Sequence, residues 1–198
     1  MLSAFDRALL LDAARAALRQ AVRGGPPAAA RTDSEALRSQ RGAFVTLRLD
    51  GELRGCIGYV DPVRSLLETV ELSAAAAATE DRRFPPVREE ELPLIEIEIS
   101  ALSAPEPISG PEEIEIGTHG VLLETSHRRG LLLPQVALEQ DWDARTLLEH
   151  TAAKAGLPRS AWRGPGVRLY RFTAEIFRDE MAQRVRNDSK DPLTTNPR

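Results

Sequence analysis

The chain has 198 residues, enough for one ordinary domain or one body with two lobes, and 42% of them are hydrophobic, so a sizeable core is within reach. Its 30 acidic and 26 basic residues are interspersed and leave a formal charge of −4, which lacks the one-sided basic field of a nucleic-acid binder. A single cysteine excludes an internal disulfide and a self-contained iron–sulfur cluster, and it fits a reducing compartment.

Residues Ala4 to Val22 include the apolar run Ala8-Leu9-Leu10-Leu11. Asp6, Arg7, Asp12, Arg15 and Arg19 interrupt it at helical intervals, so it reads as an amphipathic helix and not as a signal sequence. Ser3 with Asp6 forms an acidic variant of a capping box, and Gly24-Gly25-Pro26-Pro27 stops the helix. No stretch approaches the roughly 20 apolar residues of a membrane span, and the expected location is the cytoplasm. After a short helical or irregular stretch near Ser34 to Ser39, Val45, Leu47 and Leu49 alternate with Thr46 and Arg48. Asp50-Gly51 then supplies a turn that tolerates positive φ, and Leu53 and Ile57 resume an apolar face, so this is a β-hairpin.

The returning strand, Leu53-Arg54-Gly55-Cys56-Ile57-Gly58, carries the cysteine between two glycines. Glycine inside a strand weakens it and marks a bulge or a close approach by a backbone or ligand. Strand alternation sends Glu52, Arg54 and Cys56 to one face, opposite Leu53 and Ile57. The Arg54 guanidinium would lie about 6–7 Å along the strand from the thiol, near enough to favour thiolate in a group whose ordinary pKa is about 8.5. The competing reading makes Cys56 a small buried hydrophobe.

Farther along, Val63 to Thr79 reads as an alanine-rich helix with Leu66, Leu67, Val70 and Ala74 at spacings of three and four, ended by Asp81-Arg82-Arg83-Phe84-Pro85-Pro86. Leu94 to Ala101 alternates Ile95, Ile97 and Ile99 with Glu96, Glu98 and Ser100 and predicts a half-buried strand. A second hairpin is expected over Gly120 to Leu133, turning near His127 to Gly130. Asp143 caps a helix to Lys154 that Gly156 and Pro158 close, and one last strand covers Val167 to Phe177. From about Arg184 the residues are polar, so 184–198 is expected to be a disordered tail to a domain covering 1–183. Hairpins interrupted by helices, without regular βαβ units, argue for α+β with a mainly antiparallel sheet flanked by helices.

His150 sits about 200° round its helix from Leu148, on the polar side, and His127 falls at a hairpin tip. His119 lies in Gly117-Thr118-His119-Gly120, where glycines permit close approach; a turn histidine and a functional one are both open there. Cys56 and His119 could serve as nucleophile and base, with Glu98 as an orienting or acid group, if the fold brings them together. A metal held by His119, Cys56 and a carboxylate is chemically allowed, but no HxH or HExxH pair supports it, so neither a metal nor another cofactor is expected. The absence of P-loop, GxGxxG and GxSxG runs disfavours nucleotide-cofactor and serine-hydrolase chemistry.

Leu53-Arg54-Gly55-Cys56-Ile57-Gly58 resembles the signature stretch of the AMMECR family, within it the protein A branch of the bacterial AmmeMemoRadiSam system. Supporting runs follow in order: Arg83-Phe84-Pro85-Pro86-Val87, Ile97 to Ser103, Gly117 to Gly120, Gly130 to Val136, and Lys154-Ala155-Gly156-Leu157 with Trp162. The resemblance spans about residues 3–178 and implies a two-lobed α+β fold with these motifs around a cleft between lobes. In that cleft Cys56, His119 and Glu98 would be catalytic, and Arg54, Gly55, Gly58, Arg83 and Phe84 would bind the substrate. It also implies a radical-SAM enzyme and a Memo-like protein as partners, and an unidentified small-molecule or peptide ligand. Two readings follow: an enzyme that uses Cys56, or a non-catalytic module that presents a substrate or partner surface to the radical-SAM enzyme. The run Ala152-Ala153 before Lys154 departs from relatives that carry a cysteine there, which leaves Cys56 as the single thiol.

Overall fold

The computed structural model describes residues 1–25 and 30–179. Residues 184–198, expected from their composition to be a disordered tail, lie outside the described residues, as do 26–29 and 180–183. The fold is α+β, with two antiparallel four-stranded sheets, and the chain divides into two compact units. Of the described residues, unit 1 holds 1–25, 30–101 and 175–179, and unit 2 holds Leu102–Ala174.

Unit 1 begins with α1 (Ala4–Arg23), where Ser3 and Asp6 form the expected capping box and Gly24, at φ +75°, ends the helix. A single turn, α2 (Glu35–Arg38), precedes the hairpin of β1 (Ala43–Leu49) and β2 (Glu52–Tyr59), joined by Asp50 and Gly51 at φ +54° and +86°. Both central residues with positive φ make the turn whose twist matches the two strands. The next helix, α3 (Leu66–Thr79), starts three residues later than the apolar spacing from Val63 suggests, because Ser65 and Glu68 form a second capping box. After a 3₁₀ turn at Glu89–Glu91, β3 (Ile95–Leu102) pairs antiparallel with β1.

The sheet order is β2-β1-β3-β8, with β8 at Ala174–Arg178, so β2 is an edge strand. One face carries Val45, Leu47, Ile97 and Ile99 into a core shared with Leu10, Leu18, Leu67 and Val70 of the helices. By alternation the other face carries Phe44, Thr46, Glu96, Glu98 and Ser100. The expectation of a half-buried β3 needs correction: Glu98 and Ser100 are 6% and 1% exposed, so its polar face is covered as well.

Unit 2 has the sheet order β4-β7-β5-β6, formed by β4 (Glu106–Ile108), β5 (Gly120–Glu124), β6 (Arg129–Leu132) and β7 (Arg168–Phe172). The hairpin of β5 and β6 turns at residues 125–128, where Thr125 N–H donates to Arg128 O at 2.8 Å. Two helices, α4 (Pro134–Glu139) and α5 (Ala144–Lys154, capped by Asp143), pack a core of Val121, Leu123, Leu147, Leu148 and Leu169. The single last strand expected over Val167 to Phe177 is instead two. Thr173 interrupts the ladder, its N–H donating to Ser103 Oγ, and β8 (Ala174–Arg178) joins the sheet of unit 1. Alternation runs unbroken through Thr173, so periodicity alone does not reveal the change of sheet.

Among the described residues no helix is long and apolar enough to cross a membrane.

Candidate functional site

The hairpin register explains where Cys56 points. Near the turn Leu49 faces Glu52 and Arg48 faces Leu53, but beyond it Leu47 faces Gly55 and Thr46 faces Cys56, so Arg54 is an extra residue in β2. That is a β-bulge, and it changes the alternation of the strand. Leu53 therefore shares the face of Arg48, at 36% exposure, and not the core face of Ile57. The expected common face of Glu52, Arg54 and Cys56 is corrected by the same bulge.

Both motif glycines are packing positions. A Cβ on Gly55 would lie 2.2 Å from the Ala77 carbonyl oxygen, so the alanine-rich stretch of α3 lies directly on the backbone of β2. A Cβ on Gly58 would lie 2.3 Å from the ring of Phe44 on the opposite face.

Arg54 is held at the bulge by a bidentate pair with Glu91, Nε to Oε1 at 2.9 Å and Nη2 to Oε2 at 3.0 Å. It also donates to the carbonyls of Pro85 at 2.8 Å and Pro86 at 3.1 Å. Arg54 is the first cause holding the Glu91 carboxyl below its ordinary value, and the Arg88 N–H adds to it. The guanidinium that the sequence placed beside the thiol is thus committed to Glu91.

The basic group at Cys56 is Arg83. Asp81 accepts the Cys56 N–H at 2.8 Å, while Arg83 donates to the Cys56 carbonyl at 3.3 Å. Arg83 and Asp81 are themselves joined through Nε at 2.9 Å and Nη2 at 2.6 Å. The Arg83 guanidinium, together with the N–H groups of Cys56 and Arg83, holds the buried Asp81 carboxyl well below the usual carboxylate range. The two side chains thereby stand in for the backbone of a missing neighbour along the edge strand. Phe84 lies under the Arg83 guanidinium at 5.5 Å.

The thiol itself is half-buried on the polar face. Thr46, its cross-strand neighbour, donates its hydroxyl to Cys56 Sγ at 3.3 Å. Glu98 is the neighbour of Thr46 on the other side and is fixed by Arg178 Nε at 2.5 Å. Cys56, Thr46, Glu98 and Arg178 thus form a row across the four strands of unit 1. Thr46, Asp81, Glu91 and Arg178 were missed as site residues by sequence reasoning. Asp81 stood inside a run already singled out, and Thr46 lay on the polar phase of β1.

His119 belongs to unit 2. Its Nδ1 accepts the Glu115 backbone N–H at 3.0 Å, and the His119 backbone N–H donates to Glu115 O at 2.9 Å. Gly117, at φ +85°, permits this turn. The ring has a turn role, accepting through Nδ1. His150, expected on a solvated face, stacks on Trp142 at 3.8 Å between centroids. Among the described residues, no group of three or more His, Cys, Asp or Glu side chains is gathered closely enough to hold a metal ion. A cavity of about 750 Å³ bordered by Phe5, Leu9, Leu37 and Leu67 contains none of the motif residues.

A family model described as AMMECR1 matches residues 11–177. A protein of Methanothermobacter thermautotrophicus is 44% identical over 178 residues, covering 86% of this chain and 93% of its own. A protein of Methanocaldococcus jannaschii is 46% identical over 153 residues, covering 73% and 76%. The crystal structure of an uncharacterized protein from Pyrococcus horikoshii, 37% identical, matches with a TM-score of 0.81 over 88% of this chain and 91% of that one. With a motif-bearing hairpin, a matching fold and a family model that spans most of its length, the chain belongs to the AMMECR1 family.

Proposed function

We propose that this AMMECR1-family protein is an enzyme that uses the Cys56 thiol on an electrophilic centre of a small molecule or peptide. It works beside a radical-SAM enzyme and a Memo-like protein, partners that rest on the motif resemblance. The observation that carries the reading is the Thr46 hydroxyl, which donates to the half-buried sulfur at 3.3 Å. The hydroxyl fixes the position of the sulfur at a half-exposed site, where it is available as a nucleophile. The Sγ electron pair forms the new C–S bond while the π bond of the electrophilic centre, a carbonyl or an activated alkene, breaks, and the thiol proton passes through solvent to the atom that receives the π electrons. Glu98, held by Arg178 in the same row, orients groups on this face, while Arg83 and Phe84 flank the cysteine backbone and engage the ligand.

The test is alkylation of the native protein by iodoacetamide, followed by mass spectrometry. Cys56 is expected to react faster than free cysteine at pH 7. Thr46→Val is expected to slow it about two- to tenfold, the reach of one hydrogen bond of roughly 0.5–1.5 kcal/mol, and Thr46→Ser to restore it. A thiol that labels only after denaturation would end the enzymatic reading.

The mutual engagement of Arg54 with Glu91 and of Asp81 with Arg83 favours a second reading, a non-catalytic binding module, because these charges are explained without chemistry. Under that reading Cys56→Ser leaves both capture of the radical-SAM enzyme and its product unchanged; under the first, the product changes.

A further inference from the structure

We infer that unit 2 carries a ligand site of its own, between β4, the 3₁₀ turn at Arg159–Arg163 and β7, and that it takes a small planar ring bearing an oxyanion. The cavity there measures about 570 Å³ and is lined by Pro107, Ile108, Trp162, Arg163, Val167 and Tyr170, among others. Its volume falls in the range of roughly 300–1,000 Å³ common to small-molecule sites.

Three observations set the ligand's chemistry. The first is charge. The lining includes Arg163 and Arg168 and, among the described residues, no carboxylate. Arg168 is paired with Glu124 at 3.3 Å, but Arg163 has no acidic partner among the described residues. Its guanidinium carbon lies 4.4 Å from the centroid of the Trp162 ring. An arginine held over an aromatic face is restrained by it and can still present its N–H groups to an oxyanion.

The second is an unmet donor. Trp162 Nε1 is buried and meets no acceptor among the described residues. A buried N–H left in that state costs about 1–3 kcal/mol, and an acceptor that reaches Nε1 as a bound ligand shifts the ring recovers the cost. The third is shape and polarity. Ile108 and Val167 give apolar walls, and both also pack on the core of unit 2, so the walls are rigid. Tyr170 adds an aromatic surface with a polar tip. Aromatic walls, a cation over the indole and an orphan donor suit an aromatic carboxylate or a nucleoside monophosphate alike. None of these residues is part of the Cys56 site.

The indole N–H groups give a direct readout, because the chain has two tryptophans. The full-length protein labelled with ¹⁵N is titrated with 4-hydroxybenzoate, with AMP, with inorganic phosphate and with neutral 4-hydroxybenzamide, and Trp142→Phe assigns the two indole signals. Saturable movement of the Trp162 indole signal is expected with 4-hydroxybenzoate or AMP, and which of the two binds tighter identifies the source of the oxyanion. Arg163→Met keeps the side chain over the indole but removes the charge, and it should weaken binding about tenfold or more, with Arg163→Lys in between. A Trp162 signal unmoved by all the anions overturns the proposal. So does 4-hydroxybenzamide binding as tightly as 4-hydroxybenzoate, or Arg163→Met binding as the parent does. Tighter binding of inorganic phosphate than of either ring compound overturns the planar-ring assignment.

Discussion

Asp81 meets four donors with two oxygens: the N–H groups of Cys56 and Arg83, and Nε and Nη2 of the Arg83 guanidinium. Because its folded pKa is depressed, chiefly by Arg83, the unfolded chain takes up the proton more readily, and acid favours unfolding. The contribution is whole above about pH 4, the unfolded value, and is lost as the pH falls toward the folded one. Glu91, depressed by Arg54, acts in the same direction. Urea titrations at pH 7 and pH 3 should show Asp81→Asn about 1–3 kcal/mol less stable than the parent at pH 7, with the gap narrowing at pH 3. An equal gap at both values would mean that the carboxylate charge plays no part. The aspartate escaped sequence reasoning because its partner in the strand lies 25 positions away. Nothing in the local pattern of a proline-rich loop marks a side chain that will replace a backbone.

The hairpin shows how much of an element can be read in advance. A two-residue Asp50-Gly51 turn without a bulge would set Cys56 opposite Val45, on the core face, which conflicts with an inward Ile57. The conflict is resolved by one extra residue, and Arg54 is that residue. The bulge was therefore legible from the alternation, but its position was not, since that depends on Glu91 and the Pro85 and Pro86 carbonyls. Close backbone packing recurs in unit 2, where a Cβ on Gly130 of β6 would lie 2.4 Å from the Thr151 carbonyl oxygen of α5. In both places the contact is with backbone, which cannot swing aside as a flexible side chain can. Gly55→Ala and Gly130→Ala are each expected to cost about 1–3 kcal/mol or more, read as a lowered denaturation midpoint. Wild-type stability in either variant would show that helix and strand can separate at no cost. The strand split at Thr173 was illegible for a different reason: the alternation of Tyr170, Phe172, Ala174 and Ile176 continues through it.

At the scale of the molecule, unit 2 is one continuous stretch and unit 1 is not. Glu175, on the returning segment, accepts the Leu2 N–H at 3.0 Å and pairs with Arg7 at 3.3 Å and Arg41 at 3.6 Å. Arg15 is paired with Asp179 and donates to the Leu92 carbonyl at 3.2 Å. A fragment of residues 102–174 is therefore expected to unfold cooperatively by itself, whereas 1–101 alone is not, having lost β8 and these partners. Cooperative melting of 1–101, followed by circular dichroism, would show that the returning strand is dispensable. The sequence suggested two lobes but could not show that one is threaded through the other's chain, because pairing between β3 and β8 spans a whole intervening unit. On the ribosome this order has a consequence. The helices and the first three strands of unit 1 emerge early, with the β3 edge and the buried Arg15 and Glu98 still lacking their partners, and must wait while all of unit 2 is translated. The nascent protein thus spends that interval with an open sheet edge, and a chaperone or an early fold of unit 2 decides whether the edge meets β8 or a neighbouring chain.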